Sequence, residues 1–432
     1  MSKGIASRAD NKLLLKRYRA EARFKFYGFC AVLVALAFLL VLLYSIIIKG
    51  YTAFEQTNIN VPIYFDKQVI DPDGSIGKDA AKLHMVNYAP LIYTALAKEF
   101  GEDISNHKIK VQIKKFYSTS AARELECLVS SHPEIIGSVK KVQFLASADI
   151  DMANKNQIDL SVPEEDRKVS NKQIEWMHTL KSKRELFLAF NKALFLNSAS
   201  SSPEMAGLAT AFIGSLYMML IVLISALPFG VAAALYLEEY APKNRFTDLL
   251  EININNLAAV PSIVFGLLGL SVFINLLELP RSSSLVGGLV LSLTVLPTII
   301  ISTRAALRAV SPSIKTGALA LGASKTQAIF HHVLPSAVPG IVTGTIIGIA
   351  QAMGQTAPLL LIGMVAFVAN YPVTPLDPAT ALPVQIYIWS GEMHRAFVER
   401  TSAAIIVLLL FMMLLNILAI VIRSKFEKNG KR

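Results

Sequence analysis

Cysteine is nearly missing: Cys30 and Cys127 are the only two in 432 residues. Cys30 opens an apolar run and Cys127 lies in a polar region, so no disulfide framework is available and neither has the setting of a reactive thiol. Charge is scarce as well. Only 17% of residues are charged, 53% are hydrophobic and the mean hydropathy is +0.49, an apolar share above the soluble norm. No G-x-x-x-x-G-K-[ST] loop occurs, so the chain has no P-loop of its own for nucleotide phosphates. No small-x-small site follows the first apolar run, which speaks against a cleaved signal peptide. His331 and His332 are adjacent, but neighbouring side chains diverge on a helix and no third ligand stands near them, so no metal site is expected.

The net charge of +11 invites a nucleic-acid reading until its location is considered. Residues 1–27 carry +6, residues 304–327 carry +4 and residues 423–432 carry +4, which leaves −3 for the rest. Basicity is thus confined to segments flanking apolar runs. This is the positive-inside pattern of a membrane protein, and no basic face is interleaved with stacking aromatics. A nucleic-acid partner is not expected.

The first apolar run, Phe26 to Gly50, exceeds the ~20 residues a crossing helix needs. Its flank of Lys12, Lys16, Arg17, Arg19, Arg23 and Lys25 sets the N-terminus in the cytoplasm. Residues 51–205 balance nineteen Lys/Arg against twenty Asp/Glu, as expected for an exported domain. Strand-like alternation appears in "NINVPIYFD", in "KIKVQIKKF" at Ile109, Val111 and Ile113, and in "KKVQFLASADI". Helical spacing appears in "APLIYTALAKEF" and throughout "KQIEWMHTLKSKRELFLAFNKALF". One small α/β domain fits, and "NSASSSPEM" links it back to the membrane. Five further spans follow, near 207–237, 257–277, 285–303, 336–366 and 402–422. The loops between them alternate so that both termini and residues 304–335 are cytoplasmic. The run 336–366 exceeds a ~30 Å hydrocarbon core by about half. Gly354 and Pro358 interrupt it, so a full span to about 354 and then a break are expected.

Residues 310–335 are too polar to span, yet Leu319, Ile329, Phe330 and Val333 give them short apolar faces. Gly322 can break a helix there because glycine tolerates positive φ. Leu334-Pro335 should stop the second helix and redirect the chain. Two short surface helices would make a knob fit for a partner's groove; an Ala-rich surface helix without function fits the spacing equally well. The pattern Thr316, Gly317, Ala318, Gly322, Leu334, Pro335 resembles the coupling loop of importer-type ABC permeases, E-A-A-x-x-x-G-x9-I-x-L-P. Thr316, Gly317 and His332 depart from it. "AAVPSIVFGLLGL" and "GQTAPLLLIGM", with "YLEEYAPKNRFTDLLEININN", "LPVQIY" and "LLNILA", narrow the resemblance to phosphate ABC transporter permeases of the PstA type over residues 207–432. Residues 51–205 resemble an extra N-terminal domain carried by many proteobacterial members.

The resemblance implies an all-α polytopic membrane protein with six transmembrane helices and an inserted α/β extracytoplasmic domain. The expected divisions are a basic N-terminus (1–27), a first span (28–49), the domain (50–205), a permease core (206–423) with coupling loop 304–335, and a basic tail (424–432). It also implies a pore-forming subunit rather than an enzyme, working with a nucleotide-binding ATPase subunit that holds ATP and Mg. The other implied partners are a second permease of the PstC type, a periplasmic phosphate-binding protein, the phosphate ion and the bilayer of the bacterial inner membrane. Gly322 would shape the turn, and Ala318, Leu319 and Leu321 would fill the ATPase's groove. Family members usually write A-R-x-x-G-E-T-A-P, whereas this chain has Gln351 and Gln355, both charges being replaced together. We expect the two amides to act as one unit, either lining the path with Thr356 or satisfying each other. Arg304 and Arg281, at opposite ends of a span, are path candidates or interfacial anchors. Gly340, Gly344 and Gly348 form a smooth ridge for a second helix, within this chain or on the partner permease. Conduction requires weak binding, so selectivity would lie in the binding protein. The coupling pattern leaves sulfate, molybdate and phosphonate open as cargo. A membrane-tethered sensor using 51–205 would need a cytoplasmic signalling domain, and the longest cytoplasmic stretch is about thirty residues.

Overall fold

The computed structural model describes residues 3–71 and 80–429. The chain opens with α1 (Lys3–Gly50), a single helix of 48 residues. Its apolar stretch is left largely uncovered but runs against the final helix, Ala396–Asn429, and Gly50 meets the backbone of Ser402 and Ala403 so closely that an added Cβ would stand 2.8 Å from it.

The domain is built on β1 (Glu55–Tyr64), the middle strand of an antiparallel sheet of order β2-β1-β3. Ile59, Val61 and Ile63 alternate along β1 and are wholly buried, the period-2 pattern of a strand with one face in the core. After α2 (Lys67–Ile70) come α3 (Ala89–Phe100), α4 (His107–Lys114) and α5 (Ala121–Ser131). Then follow β2 (Val139–Leu145), α6 (Ala148–Asn154), α7 (Asn171–Ser182), β3 (Leu186–Phe190) and α8 (Lys192–Leu196). Trp176 stacks on Phe100 at 4.6 Å, and Phe116 meets both rings edge-on. Two expectations from spacing are corrected. "KIKVQIKKF" forms α4 rather than a strand: Ile109 and Ile113 are also an i, i+4 pair, Asn106 caps the helix by accepting from the Lys108 N–H, and Val111 faces out. The expected long helix after Gln173 ends at Ser182, and Arg184 turns at φ +57°. Residues 186–190 then pair with Glu55–Ile59 of β1, whose open edge satisfies their backbone. The "NSASSSPEM" segment is tied down: Gln56 Nε2 donates to the Glu204 carbonyl (2.7 Å) and Ser118 Oγ to the Glu204 carboxylate (2.9 Å).

The core begins with α9 (Ala209–Leu235), closed by a widened π turn, Tyr236–Tyr240. Next come α10 (Arg245–Ala258) and α11 (Ser262–Gly269), the latter extended by a π turn to Leu276. Pro261 separates this pair, which is bent by 99°. The span expected at 257–277 is therefore the second arm of a bent pair. At ~1.5 Å per residue, 262–276 rises about 22 Å and falls short of a ~30 Å core alone. α12 (Ser284–Arg308) is the central rod. Glycines at the contacts let it lie close to α9: a Cβ on Gly288 would meet Ile221 at 2.6 Å, and one on Gly230 would meet Ile299 at 2.7 Å. α13 (Pro312–Ala320) leads through a turn to α14 (Lys325–Ala328), a π turn (Ile329–Val333) and α15 (Leu334–Met353). These last three form one helix, Lys325–Met353. Leu334-Pro335 thus does not stop the chain, correcting the expectation. The wide turn at 329–333 opens the hydrogen-bond ladder just ahead of the proline, which has no N–H to contribute. α15 ends at Met353, α16 (Ala357–Leu361) follows the break at Gly354, and α17 (Leu382–Ser390) and α18 (Ala396–Asn429) complete the chain. Among the described residues five helices are long and apolar enough to cross a membrane, or six if the bent pair counts as one span.

Candidate functional site

The turn after α13 closes as a Schellman motif. The Gly322 N–H donates to the Leu319 carbonyl (3.0 Å) and the Ala323 N–H to the Ala318 carbonyl (3.1 Å), with Gly322 at φ +90°. The second arm starts on a capping box: the Ser324 hydroxyl accepts from the Gln327 N–H (3.2 Å), while the Ser324 N–H donates to Gln327 Oε1 (2.9 Å). Ile329 and Val333 plunge into a buried cluster with Leu235, Leu307 and Ile341, fixing the base of the knob to α9, α12 and α15. The tip is different. Leu321 is 91% exposed and Leu319 is 40% exposed, large apolar side chains held out in water with nothing of this chain to cover them. Ala318 faces inward and is buried, which corrects its expected place in a partner's groove. Gly317 lies in open space, and the Thr316 hydroxyl turns back to the Pro312 carbonyl (3.1 Å), so it presents no charge or free donor. Pro335 is exposed on the continuous helix and Leu334 packs at the edge of the buried cluster.

Arg304 is not a free lure. Its Nη2 lies 2.5 Å from Glu251 and its Nε 3.4 Å from Glu238, which also takes Arg308 Nε at 2.8 Å. The acids of "YLEEYAPKNRFTDLLEIN", weak evidence for sidedness as charges, are here the partners of the basic end of α12. Sequence alone gave no sign of this pairing, which joins residues 53 to 70 positions apart. Arg281 sits at the opposite end of α12, about 30 Å away by helical rise. It is exposed on the rim of a cavity of about 560 Å³ bounded by Ser282, Phe367–Tyr371 and Asp377. The Thr374 and Val373 N–H groups donate to Asp377 at 2.7 and 2.8 Å and hold its carboxyl below the ordinary range.

Gln351 and Gln355 do not form one unit. The helix stops at Met353, so the i, i+4 face is broken between them. Gln351 Oε1 instead accepts from Thr298 Oγ1 of α12 at 3.1 Å, a partner the motif did not predict. Gln355 and Thr356 follow in the break, where the Thr356 carbonyl accepts from Leu359 and Leu360. The glycine ridge of α15 packs within the chain, against α12. An added Cβ would stand 2.6 Å from the Ala306 side chain at Gly340, 2.4 Å from Ser302 Cβ at Gly344 and 2.6 Å from Val295 at Gly348. Gly344→Ala should therefore force the two rods apart and lower stability by about 1–3 kcal/mol. Adding Ser302→Gly should recover most of that loss. The unfolding midpoint of the detergent-purified chain checks both, and a Gly344→Ala chain as stable as the parent would refute the packing.

The bundle of apolar rods, the broken span and the exposed knob define the class: residues 226–429 match the binding-protein-dependent transport system inner membrane component family. Residues 11–164 match a domain family of unknown function, DUF3333. Among curated proteins, the phosphate transport system permease protein PstA of Haemophilus influenzae is 30% identical over 52% of this chain and 78% of its own length. That of Yersinia pestis is 32% identical over 51% of this chain and 73% of its own. A probable ABC transporter permease, YqgI of Bacillus subtilis, is 35% identical, but this chain spans 56% of its length. Among solved structures, a chain of the MetNI methionine ABC transporter in an inward-facing form is 15% identical, covers 50% of this chain and 96% of its own, and superposes with a TM-score of 0.41. The chain belongs to the PstA permease family, and it is a multi-pass membrane transport component with a further N-terminal domain.

Proposed function

We propose that the chain is the permease subunit of an ATP-driven inorganic phosphate importer. It provides part of the translocation path, and its 310–335 loop couples it to a separate ATPase that carries ATP and Mg. The observation that carries this reading is the knob, a rigid turn with Leu319 and Leu321 held out in water at the foot of the transmembrane rods. Such a surface suits a groove in a soluble partner. Membership in the PstA family supports phosphate as cargo, with a second permease of the PstC type and a periplasmic phosphate-binding protein as companions. The basic flank of α1, the charges at 304–325 and the basic tail favour a cytoplasmic knob and cytoplasmic termini in the inner membrane, with the domain on the outer side. The Thr298–Gln351 pair offers neutral hydrogen-bonding groups where α12 and α15 meet. Neutral groups suit passage, since a fixed charge would hold the anion.

The test is reconstitution. The purified chain in vesicles should hydrolyse no ATP. With the ATPase, companion permease and loaded binding protein, the vesicles should take up labelled phosphate only when ATP is supplied. A hundredfold excess of unlabelled sulfate should leave that uptake intact and the same excess of phosphate should abolish it. ATP hydrolysis by the chain alone, or uptake blocked by sulfate, would overturn the reading.

A further inference from the structure

The foot of α9 holds more than Arg304 and Arg308. Its closing π turn ends in Glu238, Glu239 and Tyr240, and each of these three consecutive residues engages a different element. Glu238 takes the arginines of α12. Glu239 is ion-paired with Lys315 of α13; its side chain is 10% exposed and that of Lys315 33%. The Tyr240 ring lies under Lys325 Nζ of α14, 4.9 Å from its centroid, and the Tyr240 hydroxyl donates to Thr326 Oγ1 at 3.4 Å. Lys315 precedes the Gly322 turn and Lys325 follows it, so the two grips fall on opposite arms of the knob. The turn is a π turn and not the last turn of an α-helix, and its widened spacing fans successive side chains to different neighbours.

We propose that Glu239 and Tyr240 are positioning residues that clasp both arms of the coupling knob, so that α9 and the knob move as one body. This rests on the reading of 310–335 as the coupling loop. The physical reason for a clasp lies in the knob itself. Below the turn, only the second arm is rooted in the buried core, through Ile329 and Val333. The first arm, α13, contributes a single buried residue, Ala318. Without a second tether, force applied by a partner at Leu319 and Leu321 would bend α13 about Gly322 and be lost before reaching the spans. The half-buried Glu239–Lys315 pair supplies that tether, in a setting drier than a surface ion pair. Lys325 over Tyr240 fixes the second arm to the same turn, through a contact that an aromatic face makes with a cation.

The experiment uses a Cys30→Ala, Cys127→Ser chain carrying Leu321→Cys with a spin label, alone in detergent, and beside it the unlabelled chain with Leu321 intact, assembled with its partners in vesicles. Variants are Glu239→Lys, Lys315→Glu, the two combined, and Tyr240→Leu. In the isolated chain, each single variant should mobilise the label beyond its motion in the parent, and the charge-reversed pair should restore the parental spectrum. In an assembled complex with unlabelled Leu321, each single variant should lower phosphate imported per ATP hydrolysed at least fivefold, and the reversed pair should return it to within twofold of the parent. Parental spectra in all single variants, or a reversed pair that restores neither the spectrum nor the ratio, would overturn the clasp. The spectrum is read without transport, so a complex that imports no phosphate would sink the functional reading while the clasp is still judged by label mobility.

Discussion

Gly322→Val should lower phosphate uptake tenfold or more in a chain that still inserts and purifies. Gly322 sits at φ +90°, and nothing lies within 4 Å of where its Cβ would stand. Space is therefore no obstacle, and the penalty is conformational. An L-residue held in the left-handed region costs roughly 1–2 kcal/mol, and a β-branched one is a true outlier there. Valine would escape by unwinding the Schellman turn, losing the Gly322–Leu319 and Ala323–Ala318 bonds and swinging α13 away from α14. Asparagine tolerates the left-handed region, so Gly322→Asn should keep most of the uptake. That contrast separates backbone strain from lost contact. Leu321→Asp probes the tip instead. Leu321 is 91% exposed, so the substitution leaves the chain's own packing alone. It removes a side chain worth about 1.5–3 kcal/mol when covered by a partner and buries a charge in its place. Recovery of the ATPase in pull-downs should fall at least tenfold. A Gly322→Val chain that imports at the parental rate, or a Leu321→Asp chain that retains its ATPase, would mean that the knob does not transmit.

Much of this fold could be read from local signals. Run length and flanking charge marked the long rods, and alternating Ile59, Val61 and Ile63 marked the central strand, because burial of one face imposes a period. The break after residue 353 followed from simple length against bilayer thickness. What escaped was decided by partners distant in sequence. Residues 186–190 satisfy helical spacing, yet β1 offers them an open edge. Ile109 and Ile113 fit both a strand and a helix, and the Asn106 cap tips the balance. The helix α10 escaped as well: its charged and amide residues read as a loop, and the bend at Pro261 makes 262–276 the second arm of a pair. At the site, the Gly322 turn was legible because glycine tolerates positive φ, whereas the places of Leu319 and Leu321 came only from the resemblance. The ion pairs of Arg304, the Thr298–Gln351 bond and the inward turn of Ala318 were not legible: each depends on how separate rods are rotated against one another, and no local pattern encodes that rotation. Proline gave the wrong answer at Pro335 because a π turn upstream had already opened the ladder it was expected to break.

The domain's attachment to the bundle yields the other large effect. Lys155, the residue that caps the C-terminus of α6, reaches into the junction, where its ammonium lies 2.7 Å from Asp151 and 3.1 Å from Glu399 of α18. All three side chains are at most 6% exposed. Asp151 is held further by the Thr57 N–H of β1 at 2.8 Å, so sheet, helix and final span meet here, and the buried Arg400 guanidinium of α18 also acts on Asp151 and Glu399. Lys155→Met takes the bonded ammonium from two buried carboxylates and leaves them the Arg400 guanidinium alone, a change that costs up to about 3–5 kcal/mol. In a domain of this size that corresponds to a fall in the unfolding midpoint of up to roughly 6–20 °C. Lys155→Met combined with Glu399→Gln should win back a large part, because the orphaned charge on α18 is gone and Asp151 keeps its backbone donor. The cycle of parent, two single variants and the double, read by thermal unfolding and by protease release of residues 55–196 from the bundle, measures the coupling directly. Additive losses, or a Lys155→Met chain as stable as the parent, would show that the domain rides loosely on the permease. A strongly coupled pair means that it is bolted to α18 and must follow that helix whenever the bundle rocks.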